Sequence, residues 1–335
     1  MMQMLSILPK IRFTKTGVAL PVEFKIHFSD ARREEDIIKA CRGMDFLFVP
    51  AAFPPITATV LAHIPTVRMI QSAGAGYDQI DVESAAAMGI PVANSPGQNT
   101  GTVAELALAM IIALQRRMLQ ADREIKAGRY QPMRERLFQI GLPELGSTTL
   151  GLIGLGAIGR KMAQVTELLG ASILYYDVNR LSAEEEEALK VTYKPLHELL
   201  AMCDVVSLHV PLTPTTRGLI GADALARMPA GAYLVNTARG ELIKPVALAE
   251  ALENGHIAGA ALDTLAPEPP PSDHPLLNLS PNARDRLLLT PHIAGTTQGA
   301  FFRMLTAALK NIQTVALGGI PRHVVNGIAA ARPPG

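Results

Sequence analysis

Residues 150–159 read Leu-Gly-Leu-Ile-Gly-Leu-Gly-Ala-Ile-Gly, and the run Ala157–Leu169 that follows has a helical pattern and stops at Gly170. An apolar strand, a glycine-rich turn and a helix in that order make the first unit of a dinucleotide-binding sheet. Gly154 permits the tight turn, Gly156 lets backbone approach a pyrophosphate, and Gly159 lets the helix pack on the sheet. The N–H groups of Ala157 and Ile158 open the helix, whose positive end faces the phosphates. The next strand, Ser172–Tyr176, ends in Asp177, close to the ~20-residue offset of the dinucleotide fingerprint. Its carboxylate can accept hydrogen bonds from both adenine-ribose hydroxyls and would repel a 2′-phosphate, which points to NAD rather than NADP. Arg180, three residues on, offers a cation that would soften that preference.

Outward from this unit, short apolar runs at Asp204–Val210, Ala232–Asn236, Ala258–Leu262 and Leu287–Thr290 alternate with helical patterns, as a parallel sheet with crossover helices requires. A shorter series before it, Met44–Val49, Arg68–Gln71 and Pro91–Ala93, indicates a separate N-terminal α/β unit. Glu105–Met118 reads as a helix with a buried face, started by the capping-box pattern Thr102-Val-Ala-Glu105, and the domain boundary is placed there. Gly299–Leu317 is again helical in pattern and would return to pack on the first unit. The expected organisation is a discontinuous domain of residues 1–101 with 297–335, and a nucleotide-binding domain of residues 102–296. The acidic run Glu184–Glu187 reads as a solvated helix face.

Composition narrows the function classes. Of 335 residues 48% are hydrophobic and 18% charged, with a formal net charge of +1, so no bulk attraction to nucleic acid or to acidic membranes is expected. The apolar run Met4–Leu8 is broken by Pro9 and Lys10, too short for a secretory segment, and no apolar stretch reaches membrane-spanning length. Cys41 and Cys203 are the only cysteines and form no metal-ligand spacing, so neither a disulfide framework nor a metal site is indicated. These readings point to a cytoplasmic protein with a small-molecule partner.

Three candidate catalytic groups sit just past the ends of predicted strands: Arg239 after Ala232–Asn236, Glu268 after Ala258–Leu262, and His292 after Leu287–Thr290. Alone, each is an ordinary loop residue; their shared placement at the ligand-binding edge of one sheet is what singles them out. Reduction of a 2-keto acid needs a cation to hold the carboxylate and polarise the carbonyl, and an acid to protonate the oxygen as it becomes an alkoxide. Arg239 supplies the fork-shaped cation. His292 supplies the proton, and a neighbouring Glu268 carboxylate would favour its charged form.

Together, Gly154–Gly159, His209-Val-Pro211, Asn236-Thr-Ala-Arg239-Gly240, Ala261-Leu-Asp263, Pro267-Glu268-Pro269 and Thr290-Pro-His292-Ile-Ala-Gly295 resemble the signatures of the D-isomer-specific 2-hydroxyacid dehydrogenases. The resemblance covers nearly the whole chain. It implies an α/β fold of two Rossmann-like, doubly wound parallel-sheet domains with the active site in the cleft between them, and usually a homodimer. It implies NAD(H)-dependent interconversion of a D-2-hydroxy acid and its 2-keto acid, with Arg239, Glu268 and His292 catalytic. It further implies that Ala75 and Gly76, in Ser72-Ala-Gly-Ala-Gly-Tyr-Asp78, bind the substrate carboxylate through backbone N–H groups. Pro211, Thr237 and Asp263 would contact adenosine, the nicotinamide ribose and the nicotinamide carboxamide, and His209 would wall the adenine pocket.

Two stretches depart from the family pattern: Ser280–Arg286 looks slightly long, and Gly128-Arg-Tyr130 stands where many members carry Trp, which this chain lacks. Among neighbouring activities, phosphite-oxidising relatives carry Lys where this chain has Ala75, and formate dehydrogenases pair the His with Gln rather than with a residue such as Glu268. A nicotinamide-sensing co-repressor would keep the same triad, but no long tail or basic stretch is visible. Candidate substrates are glyoxylate, hydroxypyruvate, pyruvate and longer 2-keto acids. 3-Phosphoglycerate ranks lower, since neither an extra phosphate-binding cluster nor an appended regulatory domain is apparent.

Overall fold

Every strand pairing in the two main sheets is parallel, so each strand must return through a crossover, and the intervening segments are accordingly helical. The computed structural model describes residues 1–51 and 54–332. The chain divides into two units, Met1–Asn99 with Gly295–Gly335, and Thr100–Ala294. The first holds β1 (Met2–Ser6), β2 (Phe24–Phe28), β3 (Phe46–Val49), β4 (Met69–Ser72) and β5 (Val92–Ala93), in the order β2-β1-β3-β4-β5. The second holds β6 (Thr149–Ile153), β7 (Ser172–Tyr176), β8 (Val191–Tyr193), β9 (Val205–Leu208), β10 (Tyr233–Asn236), β11 (Gly259–Leu262) and β12 (Leu287–Leu289), in the order β12-β11-β10-β9-β6-β7-β8. The chain winds outward from β6 to β8, then crosses to β9 and winds the other way. The reversal between β6 and β9 is the switch point at which doubly wound sheets bind ligands.

Burial explains which strands the sequence announced. Leu150, Leu152 and Ile153 of the central β6 are fully buried, and β9 is buried at all four positions. Strands covered on both faces read as continuous apolar runs. β1, β2 and β8 were not among the expected strands. β2 and β8 are short edge strands that pair on one side only, so their apolar signal is thin; β1 is hidden in a run too brief to distinguish strand from helix.

The helix Gln298–Ala316 belongs to the first unit, where Leu305, Ala308, Leu309, Ile312 and Val315 pack with Met4, Phe13, Phe46, Phe48 and Met69. The helix expected at Glu105–Met118 instead spans Thr100–Gln115, with Val103, Ala104, Ala107, Met110, Ile111 and Leu114 buried at helical spacing. Thr102 therefore lies inside the first turn rather than capping it. The helix stops early because Arg117 takes a left-handed backbone (φ 50°), and Met118 begins a second helix, Met118–Lys126. The stretch Ser280–Arg286 holds a short helix, Pro281–Arg284, capped by the Ser280 hydroxyl accepting from Ala283 N–H. No helix among the described residues is long and apolar enough to cross a membrane.

Candidate active site

The loops after β10, β11 and β12 carry Arg239, Glu268 and His292, and hydrogen bonds between buried polar side chains and the loop backbone set their aim. After β10, the buried Asn236 clips a tight turn: its side-chain N–H donates to the Arg239 carbonyl (2.7 Å) while its oxygen accepts from Ala238 N–H (2.9 Å). The Arg239 guanidinium donates back to the Ala238 carbonyl at 2.7 Å. Gly240 follows because nothing larger fits: a Cβ there would lie 2.2 Å from the Leu265 carbonyl carbon, so the chain beyond Arg239 runs directly against the chain leading to Glu268. Glu268 Oε1 accepts from Leu265 N–H at 3.3 Å.

After β12, His292 takes a left-handed backbone (φ 53°), uncommon for a residue with a side chain. Its N–H donates to the Asp263 carbonyl at 2.7 Å. Asp263, 1% exposed at the end of β11, also accepts from the Thr290 hydroxyl (2.5 Å), Ile293 N–H (2.8 Å) and Ala294 N–H (2.9 Å). The loop is thereby tied to β11 on both sides of the imidazole, and His292 Nδ1 meets Glu268 Oε2 at 2.9 Å.

The pair has a definite electrostatic polarity. Burial pushes the Glu268 carboxyl upward, but the His292 hydrogen bond and charge, Leu265 N–H and the Arg239 charge outweigh it and hold Glu268 below its ordinary value. Glu268 is therefore a carboxylate near neutral pH and accepts from Nδ1–H, which leaves Nε2 as the imidazole atom able to exchange a proton with a substrate. His209 is different in kind. Burial pushes it down to about 4, and its ring nitrogen meets the Ser207 hydroxyl at 3.0 Å, so it is a neutral imidazole rather than an acid.

The glycine-rich turn has the shape a dinucleotide requires. Gly154 lies at φ 96°, and a Cβ there would fall 2.6 Å from the His209 carbonyl oxygen, so the turn passes tightly beneath the end of β9. A Cβ on Gly159 would lie 2.2 Å from the Gly154 carbonyl oxygen, which seals the turn onto the helix Ala157–Glu167. On Gly156 it would meet nothing within 4 Å, so this position opens outward beside the exposed Ala157 and half-buried Ile158. No side chain caps that helix, which leaves its first N–H groups available to an anion. Asp177 Oδ2 accepts from Leu155 N–H at 2.7 Å, fixing the acidic group beside the turn. Pro211 lies exposed in the loop after β9, where its carbonyl accepts from the Thr216 hydroxyl (2.7 Å). Thr237, buried at the end of β10, has a hydroxyl without a hydrogen-bond partner among the described residues. An open cradle, an uncapped helix and an orphaned hydroxyl at successive strand ends fit a nicotinamide dinucleotide.

In the first unit, the loop after β4 presents Ala75 and Gly76. Asn94 Nδ2 donates to the Ala75 carbonyl (2.7 Å) and the Ser72 hydroxyl donates to the Gly76 carbonyl (2.6 Å). Both carbonyls are thus occupied, and neither N–H donates to an acceptor among the described residues. That polarity suits an anion.

Sequence reasoning missed the positioning groups. It gave Asp263 only a cofactor contact and did not foresee that its carboxylate organises the histidine loop, and it gave no role to Asn236 or Gly240. A buried carboxylate and a buried amide at strand ends, just before loops bearing functional groups, are the signal that could have found them.

Comparison with known proteins agrees with this geometry. The pattern of the D-isomer specific 2-hydroxyacid dehydrogenase NAD binding domain matches residues 108–294. The chain belongs to that family. It is 40% identical over 300 residues to a glyoxylate reductase of Korarchaeum cryptofilum, covering 89% of this chain and 88% of that protein. It is 38% identical over 292 residues to a glyoxylate reductase of Thermofilum pendens, covering 87% and 84%. Among solved structures it superposes on D-lactate dehydrogenase from Aquifex aeolicus, complexed with NAD and lactic acid, with a TM-score of 0.81 and 27% identity, covering 94% and 96% of the two chains. As a 2-hydroxyacid dehydrogenase, the protein is an NAD-dependent oxidoreductase that interconverts 2-hydroxy and 2-keto acids.

Proposed function

We propose that this 2-hydroxyacid dehydrogenase reduces a small 2-keto acid to the D-2-hydroxy acid, with glyoxylate as its leading substrate. The observation that carries the catalytic reading is the His292–Glu268 contact of 2.9 Å at the strand edge that also bears Arg239. In reduction, Arg239 holds and polarises the keto acid, and His292 delivers a proton from Nε2 to the carbonyl oxygen while Glu268 stabilises the imidazolium before transfer. In oxidation the same nitrogen takes the hydroxyl proton. The bound nicotinamide supplies or receives the hydride. Gly154, Gly156, Ala157, Ile158 and Gly159 would hold its pyrophosphate, Asp177 the adenine ribose, Pro211 the adenosine, and Thr237 and Asp263 its nicotinamide end. We assign the N–H groups of Ala75 and Gly76, in the first unit, to the substrate carboxylate.

The choice of glyoxylate rests on the two archaeal relatives covered over most of their length. A D-3-phosphoglycerate dehydrogenase of Archaeoglobus fulgidus is also 38% identical, but the match covers only 49% of that protein. Purified protein is expected to oxidise NADH rapidly with glyoxylate and more slowly with hydroxypyruvate or pyruvate. Binding of NADH without turnover of any 2-keto acid would overturn the assignment and favour a nicotinamide-sensing role.

We further propose a cytoplasmic homodimer. Both cysteines are buried free thiols, as a reducing compartment allows. The helices Met118–Lys126 and Tyr130–Ile140 leave Met118, Ile125, Tyr130 and Phe138 exposed, Phe138 by 71%, an apolar surface suited to a second copy. Light scattering at the mass of a single chain would refute the dimer.

A further inference from the structure

Beyond β7 the chain carries two opposite charges, Asp177 and Arg180, and the structure treats them differently. Asp177 is fixed by accepting from Leu155 N–H (2.7 Å) and Asn179 N–H (2.9 Å). Arg180 is the cation that an adenosine 2′-phosphate would need, and its guanidinium is already engaged: Nε donates to Glu186 Oε1 (3.0 Å), Nη2 to Oε2 (3.4 Å), and the group lies 4.9 Å above the centre of the Tyr193 ring.

Glu186 is itself held. The hydroxyl of the buried Tyr175 donates to the same Oε1 (2.8 Å) and accepts from Leu181 N–H (2.9 Å), so strand, loop and carboxylate are tied at one point. The Ser182–Glu185 capping box fixes where the helix Ala183–Leu189 begins, which sets the direction of Glu186 in the following position. An exposed ion pair alone is weak. This one is two-pronged, rests on an aromatic ring and is anchored to a buried hydroxyl. Arg160, next to the glycine turn, is likewise paired, with Glu185 at 3.0 Å. Within the acidic run, Glu184, Glu185 and Glu187 are exposed as expected of a solvated face, while Glu185 and Glu186 pair with the cations beside the nucleotide turn.

We propose that Glu186 is a specificity-determining residue for the cofactor: it holds Arg180 against Tyr193 and so withholds the guanidinium from an adenosine 2′-phosphate. Discrimination against NADPH then has two components, repulsion by Asp177 and capture of Arg180 by Glu186. This rests on the reading that Asp177 faces the adenine ribose.

The test is titration of the full-length protein with NADH and with NADPH, following nucleotide fluorescence, for the wild type, Glu186→Gln, Glu187→Gln and the double variant Glu186→Gln/Arg180→Ala. Gln keeps an acceptor for the Tyr175 hydroxyl while removing the charge that holds Arg180. Glu186→Gln is expected to tighten NADPH binding by about 5- to 10-fold, the worth of one charge-assisted contact at a partly exposed site, with NADH binding within about 2-fold of wild type. The double variant is expected to lose the gain. Glu187→Gln, which removes the same charge from the same helix without touching Arg180, is expected to show none. An unchanged NADPH affinity in Glu186→Gln, a gain that survives loss of Arg180, or an equal gain in Glu187→Gln would each overturn the proposal. Asp177→Ala, run in parallel, separates the two ideas: an unaltered NADH to NADPH ratio there would remove the ribose assignment itself, and the proposal with it.

Discussion

Replacing Glu268 by Gln keeps the size of the side chain and an acceptor for His292 but removes one negative charge 2.9 Å from Nδ1. Two unit charges at that separation interact by about 1.4 kcal/mol in a water-like medium and by about 6 kcal/mol at an effective dielectric of about 20. The His292 and Glu268 side chains are 35% and 34% exposed, so solvent screening places the pair near the lower figure. About 1.4 kcal/mol is a tenfold effect. The sign follows from the direction of the reaction. Reduction consumes the imidazolium, and the carboxylate favours it, so the variant should be the slower enzyme. At neutral pH kcat for glyoxylate reduction should therefore fall about 10-fold in Glu268→Gln. On the acid side, Glu268 is held below its ordinary value by its neighbours, so the pairing is complete at neutral pH and is lost only as pH falls through that depressed value. The wild-type advantage over the variant should vanish there, and NADH absorbance across a pH series measures that ratio directly. Equal rates at neutral pH would refute electrostatic coupling between the two groups.

His292→Gln should lower kcat by about 10²- to 10⁴-fold and leave the Kd for NADH unchanged, and a rate near wild type would remove its role as acid and base. Asp263→Asn turns an amide N–H toward groups that already donate, so it should cost about 3 kcal/mol of stability and lower kcat together, read by thermal melting and by turnover; an unchanged Tm would mean that the loop does not depend on this carboxylate. Gly159→Ala places a methyl 2.2 Å from the Gly154 carbonyl oxygen and should weaken NADH binding at least about 10-fold by displacing the turn, while tight NADH binding would show that the turn yields without loss.

The clearest strand signals in the sequence come from strands buried on both faces. β6, β9, β10 and β11 lie inside the second sheet and bury both faces, and each appears as a short apolar run. The edge strands β2 and β8 escaped because each has only one fully buried residue among partly buried and exposed ones, too thin a pattern to separate from a loop. The early stop of the helix Thr100–Gln115 was illegible for another reason. Arg117 has no intrinsic preference for the left-handed backbone it adopts, so no residue type marks the break. In the site, Arg239, Glu268 and His292 stood out at strand ends because proton transfer and carboxylate binding restrict residue type. Asn236, Gly240 and the carboxylate contacts of Asp263 did not, because their work is done through backbone atoms of loops whose approach depends on tertiary structure.

Holding His292 in a left-handed backbone opposes folding by roughly 1–3 kcal/mol for a residue with a side chain. The structure opposes that cost locally. Asp263 accepts through its carbonyl from His292 N–H and through its carboxylate from Thr290, Ile293 and Ala294, binding the chain on either side of the strained residue to a buried strand end. Hydrogen bonds to a buried charge are among the stronger ones available, so three of them exceed the strain with a margin. The same carboxylate would be costly without those donors, because a buried charge must be hydrogen-bonded. Asp263 and the loop therefore stabilise each other and together hold the imidazole against Glu268. Preorganisation of this kind is what lets a single proton donor act without rearranging during the reaction.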